Sequence, residues 1–190
     1  MKTIYIKIIS NFIFLIGFMF CKSQTLPLNT FMDNIPANAY VKDLNNELNP
    51  YIGTYKTNYQ GNEITLFITK VENRLEERAK KNFYRDALVV KYIVKNASGS
   101  ILQDTQNNTT PKIRLYSIRT RPAQNTVILI YSGTNCGVGW GDVFLKKINT
   151  NQISWEYRPD SIITNKETCP PGTDINVYLP VAKDLIFTKQ

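Results

Sequence analysis

The run Tyr51 to Val71, YIGTYKTNYQGNEITLFITKV, reads as a β-hairpin, and it sets the pattern for most of the chain. Ile64, Leu66 and Ile68 recur at every second position, with Thr65 and Thr69 on the opposite face. Strand side chains alternate between two faces, so this spacing lays the apolar groups on one side. Tyr59-Gln60-Gly61-Asn62 supplies the turn, where Gly and Asn accept the positive φ of a tight connection. The same alternation returns in DALVVKYIVK, residues 86–95. There Leu88, Val90, Tyr92 and Val94 share a face, and Lys91 and Lys95 take the other. A chain that repeats this period is built from strands.

The remaining segments extend the series. Asn96-Ala97-Ser98-Gly99 is a turn, Ser100–Asp104 a short returning strand, and Thr105–Thr110 a polar loop. Lys112–Thr120 alternates, with Ile113 and Leu115 opposing Tyr116 and Ile118. Arg121–Asn125 turns the chain into the apolar strand Thr126–Tyr131. Val143 and Leu145 continue one strand, and Ile153, Trp155 and Tyr157 form an aromatic face on the next. Asn176–Leu179 and Asp184–Lys189 look like closing strands after a long loop, Arg158–Asp174. The series predicts an all-β antiparallel meander of about eight to ten strands, closed into a small barrel or, alternatively, folded as a β-sandwich.

Two stretches break the period. In the arm at 24–50, Tyr40, Leu44 and Leu48 recur every fourth residue. That spacing predicts a short N-terminal helix ended by Pro50, with an irregular arm as the alternative. In NRLEERAKKNFY, residues 73–84, Leu75, Ala79 and Phe83 keep helical spacing, and Glu76/Lys80 and Glu77/Lys81 are i,i+4 pairs. A short helix or a charged hairpin loop fits it. Arg74, Arg78, Lys80, Lys81 and Arg85 make the densest basic cluster. It suits an anionic partner, but Glu76 and Glu77 dilute it, and a solvated face is the expected reading.

Residues 1–23 have the plan of an export signal. Lys2 and Lys7 precede an apolar run, Ile8–Phe20, that is interrupted by Ser10-Asn11 and short for a membrane span. Cys21-Lys22-Ser23 offers small residues for simple cleavage before Gln24. The alternative is lipidation at Cys21, although Phe20 precedes it instead of the usual small residue. Cleavage leaves about 167 residues, enough for a single domain spanning 51–190 with its arm. Three of the 23 basic residues leave with the signal, so 20 face 15 acidic ones. This mild excess aids solubility. Export makes nucleic acid a poor partner, and no aromatic-basic RNA motif is present. Contact with a membrane is then limited to the signal or to a lipid on Cys21. The expected location is periplasmic or secreted, in a bacterium of Gram-negative type.

There is no histidine in the chain. Ser-His-Asp and Cys-His catalysis are excluded with it, as are imidazole metal ligands. Ser132 and Ser161 lie in no nucleophile elbow. Asp160-Ser161-Ile162 matches only a short, common glycosylation tripeptide of exported bacterial proteins. The pairs Glu76/Glu77 and Asp142/Glu156 are the carboxylates to weigh for a glycosidase, and ordinary surface acids are the expected reading. SGTNCGVGWG, residues 132–141, lacks the Lys-Ser/Thr of a phosphate loop and the spacing of a dinucleotide turn, so it is expected to be a tight or bulged turn. No cofactor is expected, and no enzymatic activity.

Asn45–Tyr55, the Gly139-Trp140-Gly141 segment and the end Asp184–Lys189 together resemble a family of small exported bacterial proteins known only as a domain of unknown function. The likeness spans nearly the whole mature chain. It implies export and a shared fold, and carries no activity, ligand or site. Gly53-Thr54-Tyr55 also resembles the Gly-x-Trp opening strand of lipocalin-like barrels, with Tyr55 in place of the tryptophan.

Two sites are expected. Once Cys21 is removed or acylated, Cys136 and Cys169 remain, and an oxidising compartment pairs them in a disulfide. Tyr55, Tyr92, Trp140 and Trp155, with Tyr157, either line a ligand cavity at a barrel mouth or make a solid core. The first alternative makes the protein a non-enzymatic carrier of a small apolar ligand. The second makes it an envelope interaction or inhibitor module, with loops 73–84, 104–111 and 158–174 as its contacts.

Overall fold

The computed structural model describes residues 24–107 and 113–190. Residues 1–23, where an export signal and Cys21 lipidation or cleavage are expected, lie outside the described residues, as does part of the polar loop before Ile113. The strands in order are β1 (Thr25–Pro27), β2 (Tyr40–Lys42), β3 (Gly53–Tyr59), β4 (Asn62–Arg78), β5 (Lys81–Lys95), β6 (Ile101–Asp104), β7 (Leu115–Arg121), β8 (Thr126–Tyr131), β9 (Gly141–Lys147), β10 (Gln152–Pro159) and β11 (Leu185–Lys189).

From β3 onward the chain is a meander. Apart from β6 and β7, neighbours in sequence pair antiparallel, and β11 returns to pair with β3 through Thr188↔Lys56 and Lys189↔Tyr55. β5 closes the ring against β7 at Val89↔Tyr116. Strands β3, β4, β5, β7, β8, β9, β10 and β11 thus form a closed antiparallel barrel. The closing seam is short, and a side chain extends it: the Leu88 amide donates to Ser117 Oγ at 2.8 Å. β5 carries three neighbours along this side, β2 at Tyr84 and Arg85, β7 at Val89, and β6 at Ile93 to Lys95.

The interior follows the alternation read from sequence. Ile64, Leu66, Ile68, Leu88, Val90, Tyr92, Ile153 and Trp155 are all buried in one core with Tyr55, Leu129, Tyr131, Leu145 and Phe187. Closure leaves the interior sheet face with nowhere to go but inward, which is why a strict period of two becomes a single core.

The two ends differ. At one end the arm crosses the opening, and Leu48 and Tyr51 bury their side chains there. The Tyr51 hydroxyl donates to the Asn125 carbonyl at 2.5 Å. At the other end lie the β3–β4 turn, the β8–β9 loop and the long β10–β11 connection, residues 160–184.

Three expectations need correction. Tyr40, Leu44 and Leu48 do not share a helix: Tyr40 opens β2, and the arm holds only single 3-10 turns at Met32–Asn34 and Asn49–Tyr51. Asp43 accounts for this. Its carboxylate accepts the amides of Glu47 at 2.6 Å and Leu48 at 3.3 Å, and Asn46 turns through a left-handed φ of 55°. A helix cannot propagate through that turn. Residues 73–84 are neither helix nor loop, since β4 and β5 stay paired out to Arg78↔Lys81 past a bulge between Val71 and Arg74. Asn176–Leu179 is not a strand; Leu179 is buried in the core from an irregular segment.

Candidate functional site

The four aromatic residues expected to share a cavity do not line a common space. Tyr55 is buried beside Lys147 and Lys189, whose amines lie 5.8 and 5.9 Å from its ring centre. Tyr92 and Trp155 belong to a continuous aromatic stack across the interior. Tyr92 meets Tyr131 edge-on at 6.4 Å, Tyr131 meets Tyr157 at 5.8 Å, Tyr157 meets Trp155 at 6.4 Å, and Trp155 tilts against Phe187 at 5.6 Å. Edge-to-face contact places positive ring edges on negative faces and is favourable beyond the area it buries. Trp140 is apart from them, 40% exposed on the rim.

The polar atoms of this stack are paired. The Tyr92 hydroxyl donates to Gln103 Oε1 at 2.6 Å. Its single proton is thereby used, so the 3.0 Å contact with Tyr131 is a bond donated by Tyr131. Gln103 in turn donates to Thr134 Oγ1 at 3.1 Å. Burial pushes the Tyr92 hydroxyl far above its ordinary pKa, with the neighbouring Tyr131 adding to the effect, so it serves as a neutral hydrogen-bonding group. Burial raises Tyr131 and Tyr157 as well.

Above the stack the long connection 160–184 closes the mouth. Trp155 Nε1 donates to the Pro180 carbonyl at 2.9 Å, and the Tyr157 amide donates to the Ala182 carbonyl at 3.1 Å. Tyr157 donates its hydroxyl proton to the Gly139 carbonyl. Gly139 has a φ of +71°, and a Cβ there would run into Val177 and the Tyr157 hydroxyl. Only glycine fits this approach, which explains why the glycine-rich segment sits here. It is a support for the connection above it, as the turn reading of residues 132–141 expects.

Cys136 and Cys169 are joined, with Cα atoms 5.4 Å apart across 33 residues of sequence. The bond ties the connection to the β8–β9 loop, where Asn135 Nδ2 also donates to the Asp174 carbonyl at 2.7 Å. A disulfide is compatible with an oxidising compartment outside the cytoplasm. Replacing both cysteines with serine is expected to cost about 2–4 kcal/mol, chiefly by freeing the unfolded chain. Denaturant melts of the double variant and the wild type measure this. Equal midpoints would show that the connection is held without the bond.

The exposed apolar side chains of this end are Trp140, Ile162, Ile163, Ile175 and Val181. Ile163 is 98% exposed. Trp140 Nε1 donates to the Ser161 carbonyl at 3.3 Å, which fixes the indole beside Ile162.

Of the carboxylate pairs, Glu76/Glu77 separates, whereas Asp142 and Glu156 are diagonal neighbours on one outer face of the β9–β10 ladder, opposite Arg158 and Phe144. Glu76 and Glu77 are adjacent in β4 and so point to opposite faces, one buried and one exposed. Asp142 lines a groove of about 230 Å³ on the barrel wall with Arg119 and Phe144. Glu156 is held by Arg158 at 2.8 Å in a second groove of about 280 Å³. Burial, then Asp160, raises the Asp142 carboxyl.

The basic cluster is a solvated face only at Arg78 and Lys80, which are exposed. Lys81 Nζ donates to the carbonyls of Met32 and Ile35, each at 2.6 Å, and pins the arm. Arg74 and Arg78 flank the buried carboxylate of Glu76. Arg85 is only 1% exposed, beneath the arm. Its burial depends on chain far away in sequence, and a local pattern of charges carries no sign of it.

No curated protein and no solved structure is matched by this chain. A family model described as "Family of unknown function (DUF6705)" matches residues 1–190. With the match running over its entire length, the chain belongs to that family of unknown function.

Proposed function

We propose that this is a non-enzymatic β-barrel module of a small exported bacterial protein, and that it binds another envelope protein through its disulfide-tied end. The packed interior carries this reading. Tyr92, Tyr131, Tyr157, Trp155 and Phe187 occupy each other's faces and edges where a carrier would hold its ligand. Residues 160–184 lie over the mouth with Leu179 sunk into the core. The same end displays Trp140, Ile162, Ile163 and Ile175, the type of surface that marks association. The lack of histidine supports a binding role over a catalytic one. The small-apolar-ligand reading has less support, since three of its four residues are consumed in the core.

Native mass spectrometry of protein purified from its own envelope tests this. A retained protein partner is expected, and Ile163→Asp is expected to weaken its binding about tenfold or more, as for an interface anchor. That side chain is exposed, so the variant should melt with the wild type. A retained small apolar molecule, or a partner indifferent to Ile163→Asp and Trp140→Ala, overturns the assignment.

A further inference from the structure

Arg85 sits where a cation should not be left alone. It faces Arg74 directly across the β4–β5 ladder, with Phe83 and Glu76 as the next pair on the same face. Its Nη1 and Nη2 are buried and have no hydrogen-bond partner among the described residues. The Phe83 ring, 5.6 Å from the guanidinium carbon, gives a cation–π contact but accepts neither fork of donors. Burying an unpaired charge is costly, and natural proteins pair such groups.

Among the described residues Arg85 forms no ion pair with an acid. Arg78, Arg119 and Arg74 act on Arg85 as cations, and the Tyr116 phenol works the other way. Burial first, then these cations, bring its pKa down to about 10, which still leaves a cation at neutral pH. Glu76 is the acid of this face and is engaged by Arg74 and Arg78. The stretches 1–23 and 108–112 contain no Asp or Glu. Arg74 is itself stacked over Tyr116, 3.9 Å from the ring centre, and Arg119 over Phe31 at 4.5 Å. Arg78 is partly exposed and Phe31 largely so, which makes them the groups able to yield to an incoming ligand.

We propose that this cluster is an oxyanion site, in which Arg85 Nη1 and Nη2 grip a phosphate-class dianion and Arg78 and Arg119 balance its charge. The guanidinium fork is planar and matches two oxygens of one oxyanion. Arg74, Arg78 and Arg85 stand against the single carboxylate of Glu76, an excess of two charges, and Arg119 shares its groove with Asp142. A dianion offsets that excess, and a monoanionic carboxylate much less of it. The site lies on the hairpin face under the arm, apart from the disulfide-tied end, and stands independently of the role assigned to that end.

Titration calorimetry and thermal melts at constant ionic strength test the proposal, using inorganic phosphate and glycerol 3-phosphate, with acetate as the control. Saturable binding is expected with a melting temperature that climbs about 3–5 °C per tenfold excess of ligand over Kd. Arg85→Met should abolish both and, without phosphate, melt no lower than the wild type. Arg85→Lys, which keeps charge but loses the fork, should bind at least tenfold more weakly. A response to both probes assigns the site to the ion itself; a response to the ester alone assigns it to an esterified phosphate. If Arg85→Met does not fold, Arg119→Ala replaces it and should weaken binding severalfold. Equal shifts in wild type and variant, the mark of general salt exclusion, overturn the site. So does the absence of heat with either probe.

Discussion

Trp155→Ala will lower stability by about 3–5 kcal/mol, the range for removing a buried aromatic side chain. Trp155 is fully buried, tilts against Phe187, meets Tyr157 edge-on and donates to the Pro180 carbonyl. The substitution removes all three contacts and leaves a void between the stack and the connection above it. Trp155→Phe keeps a ring in place and loses the donated bond, so it will cost clearly less. A second readout bears on function. An apolar void of this size accepts a small aromatic, so indole will restore part of the melting temperature of Trp155→Ala and none in the wild type. Stabilisation of the wild type by indole would mean that the interior has room for a ligand, and would revive the carrier reading. A loss below about 1 kcal/mol would mean that Trp155 is not the keystone between wall and mouth.

How far the sequence carries depends on which constraints are local. Ile64, Leu66 and Ile68, Leu88, Val90 and Tyr92, and Ile153 and Trp155 were legible because a closed barrel has one interior and period two names the face. The Cys136–Cys169 bond was legible by elimination, with Cys21 set aside by the expected export signal. Residues 73–84 were not. Arg74, Glu76 and Arg78 alternate in a strand, yet the i,i+4 charges mimic a helix, and the covering arm that favours a strand lies some forty residues earlier. Trp140 and Arg85 failed for one reason in opposite directions. Both depend on which distant segment lies over them, and the indole ended on the rim while the guanidinium ended inside. Of the expected aromatic set, Tyr55, Tyr92, Trp155 and Tyr157 fill the barrel as the solid-core alternative has it, while Tyr131 and Phe187, which complete the stack, were not among them.

Asp86→Ala will cost about 3–5 kcal/mol, because it strips the acceptor from a buried polar knot that joins arm and barrel. Asp86 Oδ1 accepts the Tyr40 hydroxyl at 2.5 Å and the Asn73 amide at 2.9 Å, and Oδ2 accepts the Asp43 amide at 3.0 Å. Lys70 bonds the neighbouring Asp43 carboxylate at 2.9 Å. Burial works to raise the Asp86 pKa, but the bonds from Tyr40, Asp43 and Asn73, with Lys70 nearby, outweigh it and hold the carboxyl below its ordinary value. Its stabilisation is therefore complete above the unfolded carboxylate pKa of about 3.9, and is lost as pH falls below that through the depressed folded value. Lys70 acts at the other limit. Burial lowers it, Asp43 and Asp86 more than compensate, and its pKa ends above the ordinary lysine value. That contribution holds below about pH 10.4 and fades as pH rises through the higher folded pKa. Asp86→Asn will rescue little: of its two side-chain atoms one is an NH2, which faces donors where the carboxylate faced them with oxygen. Denaturant melts from pH 7 down to about pH 2, below the unfolded carboxylate pKa, give the test. The wild-type and Asp86→Ala stabilities should converge as the carboxylate protonates. Parallel curves across that range would place the stability of this junction in packing and not in the Asp86 charge.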